Sequence, residues 1–337
     1  MNLSILLRYA IGLLTVGTTF ATTSEPHLFV AAAFTKAQRN SSIPTDAGIF
    51  VRMPDTGWTS FGPKIQAVNS AAVDPSDTDR IFLSCGNGIV RSLDGGATWR
   101  MVTGWQISDV YGIVIDPTDG NTLYAATGWG PWCSTDGGDT WTFVENGLAE
   151  RFNRTIAMDP LNPQRLFLGT SAGLHVTTNG AKSWKREKDI PAVNILRVRH
   201  GVSAPKVWLT GTEGRGAWLS TNGGKSWQPT APAAEAANVY AVAVDPTDGQ
   251  RLAIGGWDIG VLLSTDGGKT WQNRAAGLPS ANVLTLVFDP THSGRLWAGT
   301  FEEGAVFTED NGATWHDGGI DGSLPNDMGF LLLSARE

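Results

Sequence analysis

Cysteine is nearly absent: Cys85 and Cys133 are the only two in 337 residues, too few for the disulfide framework of a small secreted scaffold. One falls at the end of an expected strand and the other inside a strand of the next repeat, so two buried free thiols are expected rather than a bridge. Cysteine therefore leaves the redox compartment open. Charge is also scarce, at 17% of residues, and 25 Lys and Arg against 32 Asp and Glu leave a net charge of -7. The basic residues are scattered, with no stretch that could track a phosphate backbone, which argues against a nucleic-acid partner. Beyond the N-terminus no stretch approaches the ~18 unbroken apolar residues that a membrane span needs. No metal site and no cofactor is expected.

What is plentiful is glycine, 41 residues, and tryptophan, 14, a composition foreign to disordered or helical chains. Much of it belongs to one octet, Ser264-Thr265-Asp266-Gly267-Gly268-Lys269-Thr270-Trp271, which returns at 92–99, 134–141, 177–184, 220–227 and 308–315. Its last residues, Trp99, Trp141, Trp184, Trp227, Trp271 and Trp315, are spaced by 42, 43, 43, 44 and 44 residues. So even a period marks a repeat protein. Ahead of each box runs a strand ending in Asp-Pro, as at Asp74-Pro75, Asp116-Pro117, Asp159-Pro160, Asp245-Pro246 and Asp289-Pro290. Proline ends that strand because it has no N–H to give a ladder. A second strand, a glycine-bearing loop, a third strand entering the box and a fourth leaving the Trp complete the period. Four short antiparallel strands per ~43 residues is the signature of a propeller blade.

One repeat is irregular: Arg199-His200-Gly201-Val202 replaces the Asp-Pro turn, which puts His200 in a turn at the surface. At the ends, Asp55-Thr56-Gly57-Trp58-Thr59 reads as a decayed box whose final Trp has become Ser60, after a long insertion from Ala33 to Asp46. Met328–Ser334 reads as a lone first strand. Joined to the N-terminal strands it completes a seventh blade and removes the exposed edges of an open array. The expected fold is all-β, a seven-bladed β-propeller of four-stranded antiparallel blades over residues 27–337, closed by N- and C-terminal strands sharing one blade. Residues 1–21 carry one charge, Arg8, an apolar run from Tyr9 to Val16 and small residues up to Ala21, and read as a signal peptide. The alternative is that Leu13–Val16 is a propeller strand. A leader implies a periplasmic or secreted protein, and a monomer is expected.

The box side chains Asp94, Asp136, Asn179, Asn222, Asp266 and Asp310 suit a turn whose carboxylate or amide oxygen accepts backbone N–H groups. Two boxes use Asn, a swap that no catalytic carboxylate tolerates, so the boxes are read as scaffold. These motifs resemble the Asp-box (BNR) repeats of sialidases, xyloglucanase-type glycoside hydrolases, sortilin-like receptors and the photosystem II assembly-factor propellers. The resemblance covers Leu28 to Ser334 and implies the propeller fold, while the box itself serves enzymes and non-enzymes alike. The sialidase pattern is poorly met. Its Arg-Ile-Pro is Arg52-Met53-Pro54 here, tyrosines number four, and no second or third arginine of the substrate-binding trio is assignable. Xyloglucanase-type enzymes set two propellers against each other, and this chain has one.

Strand order puts the boxes and Asp-Pro turns on one face of the disc and the second-to-third loops on the other. That loop face gathers Trp129, Trp257, Trp105, Phe301 and Glu303, aromatic platforms beside hydroxyl acceptors, as a glycan- or protein-binding surface. At or just before the first strands stand Asn69, Asp109, Asn153, Asn194, Asn238, Asn282 and Asp327, one per blade, a candidate ring at the channel mouth. A strand-capping role suits them as well. The favoured function is a non-catalytic extracytoplasmic binding or assembly propeller. The alternative is a glycoside hydrolase using Asp258, Glu213 or Glu302, with Glu303 and Asp109 in reserve. Such chemistry asks for two carboxylates about 5–5.5 Å or 6.5–9.5 Å apart.

Overall fold

The computed structural model describes residues 26–34, 40, 47–53, 57–65, 67–320 and 324–332. The leader, Leu13–Val16, most of the Ala33–Asp46 insertion and residues 54–56 of the decayed box lie outside them. Seven four-stranded antiparallel sheets form the propeller. Numbered in chain order, blades 2 to 7 begin with the inner strands Val68–Asp74, Val110–Asp116, Asn153–Asp159, Ile195–His200, Ala241–Val244 and Val283–Phe288. Blade 1 takes its inner strand, Leu324–Leu332, from the C-terminus and the other three, Pro26–Ala33, Gly48–Met53 and Gly57–Ser60, from the N-terminus.

The closing strand runs antiparallel to Pro26–Ala33 along its whole length, with Met328 opposite Val30 and Phe330 opposite Leu28. It starts four residues before the expected Met328, so Asp327 lies inside the strand rather than ahead of it. Each inner strand touches the next, and Leu324–Leu332 touches those of both blade 2 and blade 7, which closes the ring. The core is divided into seven interfaces. Phe82 and Ile89 of blade 2, for example, pack on Ile113, Ile115 and Leu123 of blade 3. Alternation decides this, since every second residue of a strand faces one neighbouring blade.

The expected place of His200 is corrected. His200 closes the inner strand of blade 5, opposite Trp208, instead of sitting in a turn. It is half-buried with its ring 5.0 Å from that of Trp208. The decayed box has Ser60 in the last place, as expected, and a tryptophan two residues earlier takes up the joint. Trp58 lies in the fourth strand of blade 1, edge-on to Trp297 at 6.3 Å, and its Nε1 donates to Gly318 O of blade 7 at 2.6 Å. The box residues Trp184 and Trp315 likewise donate to carbonyls of the preceding blade, Val144 O at 2.8 Å and Arg274 O at 2.9 Å. Both thiols are free, but only Cys85 is fully buried, and burial pushes it up to about 12. Cys133 is half-buried.

Candidate functional site

The box face is a set of closed hydrogen-bond circuits. In the first, Asp94 Oδ1 accepts from Thr98 N and Ser92 Oγ, both at 2.8 Å, and Oδ2 accepts from Thr98 Oγ1 at 2.6 Å. Asp136, Asp266 and Asp310 repeat the circuit with Thr140, Thr270 and Thr314. Where the box carries Asn, one bond reverses: Asn179 Nδ2 and Asn222 Nδ2 donate to Ser183 Oγ and Ser226 Oγ at 3.0 and 2.7 Å. The Asp-Pro turns hold a second motif that spacing alone did not disclose. Asp159, Asp245 and Asp289 each pair through Oδ2 with an arginine six residues on, Arg165, Arg251 and Arg295. These carboxylates are engaged in holding their own turns, which suits a structural role.

The hydroxyl and amide donors hold Asp94, Asp136 and Asp266 down at about 2, the Thr hydroxyl first among them. A carboxyl depressed on folding contributes stability above its unfolded value, near 4, and that contribution is lost as pH falls through about 2. Asp266→Asn, which imitates the natural Asn boxes, should therefore leave the neutral-pH melting temperature little changed. Its melting temperature should also fall less steeply than the parent's between pH 4 and pH 2. A parallel pair of curves would remove the box carboxylate from the acid response.

On the loop face the aromatic residues fall into two groups. Trp105 is 87% and Trp129 60% exposed, and Trp129 Nε1 donates to Asp109 Oδ2 at 3.1 Å. Behind them Tyr111 packs on Phe152 with ring centres 5.5 Å apart. Three blades round the ring, Trp257, 40% exposed, meets Phe301 of blade 7 edge-on at 5.2 Å. Asp258 sits beside this second group at a φ of 62°, its N–H donating to Asn282 Oδ1 across the blade boundary at 2.9 Å. Glu213 belongs to blade 5, where Asn194 Nδ2 donates to its Oε2 at 3.1 Å. Glu302 and the exposed Glu303 lie in the blade 7 loop. The carboxylate candidates, Asp109 included, thus stand on the loops of four different blades, and no clear catalytic diad or metal cluster is formed among the described residues.

The candidate ring divides by register. Asp109, Asn194, Asn238 and Asn282 are equivalent, each offering its carbonyl to the N–H of a loop residue, Gly128, Glu213, Trp257 and Phe301. Asn153 is one residue further along, inside its strand, and its Nδ2 donates to Thr127 O and Arg151 O. Asn69 occupies a β-bulge with Nδ2 on Val110 O at 2.8 Å. Asp327 lies past the bulge of its own blade. No single register runs through them: the Asn or Asp is the last residue before the inner strand in blades 3, 5 and 7, the first strand residue in blade 4 and the bulged residue in blade 2.

Inside the ring runs a channel of about 410 Å³, walled by the inner strands and reaching the Asp-Pro prolines at the box end. Most of the wall is apolar, but Arg197, Arg199 and Asp327 line it too. Arg197 and Arg199 reach from blade 5 toward the closing strand, with Nη atoms 3.3 and 3.6 Å from Asp327 Oδ1. Burial, then the neighbouring Arg197, brings Arg199 down to about 10. No sequence signal named these residues except that their blade lacks the Asp-Pro turn.

Seven blades, a tryptophan at each blade joint described above, and turns built on one repeated circuit decide the class. The chain is a propeller of Asp-box repeats. The BNR/Asp-box repeat family model matches residues 262–273, the box of blade 6. No curated protein sequence matches the chain. The Asp-box propeller is similar in fold to the GH74 enzyme of Niastella koreensis, at a TM-score of 0.70 and 18% identity over 87% of this chain and 54% of that one. The GH74 xyloglucanase of Xanthomonas campestris gives a TM-score of 0.61 and 19% identity, with coverage of 85% and 54%. YCF48, in a structure bound to D1 peptide, gives 0.57 and 15%, with coverage of 76% and 83%. The chain spans about half the length of the GH74 enzymes that it matches. No helix among the described residues is long and apolar enough to cross a membrane.

Proposed function

We propose that this propeller is a non-catalytic, extracytoplasmic binding or assembly protein that takes a glycan or a protein on its loop face. The observation that carries the proposal is Trp129, a large indole left 60% exposed yet tied by Nε1 to Asp109. An exposed ring held in one orientation gives a ligand a flat apolar surface at little ordering cost. Trp257 and Phe301 provide a second such surface. Both similar folds fit this reading, since one is a xyloglucanase and the other was captured with a peptide. The leader-like N-terminus and the net charge of -7 favour an extracytoplasmic partner that is not a nucleic acid. In this reading the protein acts as a monomer, its ring closed by the blade that the two chain ends share.

Titration calorimetry against a panel of plant and bacterial oligosaccharides tests it. Trp129→Ala and Trp257→Ala should each weaken the best ligand at least about tenfold with the fold intact, as expected for an aromatic anchor. Hydrolysis of that ligand, abolished by Asp258→Asn or Glu213→Gln, would replace this reading with the glycosidase one.

A further inference from the structure

Arginines gather at the channel mouth with few acceptors of their own. Arg154 occupies the bulge of blade 4, directly ahead of the register layer that holds Arg197 and, in blade 1, Asp327. Among the described residues Arg154 makes no ion pair; its guanidinium lies 5.7 Å over the Tyr240 ring, with Tyr111 and Glu213 near enough to act on its charge. Arg197 and Arg199 share one carboxylate, and they share it loosely. Asp327 Oδ1 is buried, has both guanidiniums at ion-pair distance, and accepts a hydrogen bond from neither. Their other contacts are long bonds to carbonyls, Arg197 to Asn326 O at 3.4 Å and Arg199 to Val198 O at 3.2 Å. At the rim Glu213 and Asp109 are already engaged, by Asn194 and by Trp129. Two arginines thus share one channel carboxylate, and a third, Arg154, has no ion pair among the described residues. Guanidiniums part-buried among apolar walls and short of acceptors make a site that an incoming anion completes.

We infer that the channel mouth is a carboxylate-binding subsite for an acidic oligosaccharide, with the uronate carboxylate held between Arg154 and Arg197. The inference rests on the loop-face reading above. Trp129 is tied to Asp109 ahead of the blade 3 inner strand, Tyr111 lines the channel and Tyr240 lies under Arg154, so a sugar ring has aromatic faces to stack on while its carboxylate reaches the arginines. A planar carboxylate matches the guanidinium fork better than a spherical anion does.

Calorimetry on the full chain tests this with tri-galacturonate, its neutral methyl ester and inorganic phosphate at matched ionic strength. The acid should bind at least about tenfold tighter than the ester, the weight of one charge-assisted contact. That preference should shrink toward one in Arg154→Gln, a variant that breaks no ion pair and whose melting curve should match the parent's. Raising the salt should weaken the acid and spare the ester. Equal binding of acid and ester to the parent, with both lost in Trp129→Ala, would overturn the subsite and leave the loop-face reading standing. Failure of both sugars to bind would overturn the subsite and leave the loop-face reading to the wider oligosaccharide panel. Phosphate binding as tightly as the uronate, or a preference unchanged in Arg154→Gln, would also overturn the subsite.

Discussion

A chain stopped after Ser323 loses its cooperative unfolding transition and associates with itself. Three effects act together. The Pro26–Ala33 strand, whose Val30 and Ala31 are wholly buried, gains a free edge of unpaired N–H and C=O groups. The inner strands of blades 2 and 7, both in contact with Leu324–Leu332, lose their shared neighbour. Asp327 leaves with the strand, so Arg197 and Arg199 keep their charges in the channel without a counterion. Summed, these cost about 5 kcal/mol or more, enough to consume a large part of an ordinary domain's stability. Urea denaturation followed by tryptophan fluorescence, with gel filtration alongside, reads both outcomes. A monomeric truncated chain with an unchanged midpoint would mean that six blades hold together without the seventh.

The second large effect belongs to Trp227→Ala. This indole is only 5% exposed and meets Phe167 of the preceding blade edge-on at 5.8 Å. Phe167 is itself stacked on Trp208 at 4.6 Å, so the substitution opens a hole at the centre of the blade 4–blade 5 joint. Removal of a buried aromatic side chain costs about 3–5 kcal/mol, and little collapse is available between two rigid sheets. Trp99→Ala, at a half-buried position beside Phe61, should cost distinctly less. Equal losses at the two sites would mean that burial does not set the weight of a box tryptophan. Urea midpoints at unchanged slope make the comparison.

The blades and their number were readable because the same local problem is solved six times over in the chain. A turn needing Asp or Asn, glycine and a tryptophan leaves the same residues at each period. The seventh solution was legible only as a decayed box, because its tryptophan, Trp58, stands two residues ahead of the usual place and reaches the joint from inside a strand. The candidate ring was half legible for a related reason. Its members share a residue type near each strand start, and that type falls at three different registers there. The arginine cluster was not legible at all. Arg197 and Arg199 look like the outward half of an alternating strand, and their carboxylate lies 130 and 128 residues away on the far side of the channel. Only the absent Asp-Pro turn in that blade pointed there, and it drew His200 out of the turn as well.

Sharing blade 1 between the two ends of the chain has a consequence for the timing of assembly. During synthesis six sheets can form in turn as they emerge, each against its predecessor, while the N-terminal three strands wait for a partner made last. The circle is sealed only by contacts spanning nearly the full chain, the slowest kind to find. Until that moment the Pro26–Ala33 edge is open to any passing strand. Export or chaperoning of this protein must therefore protect its beginning until its end arrives.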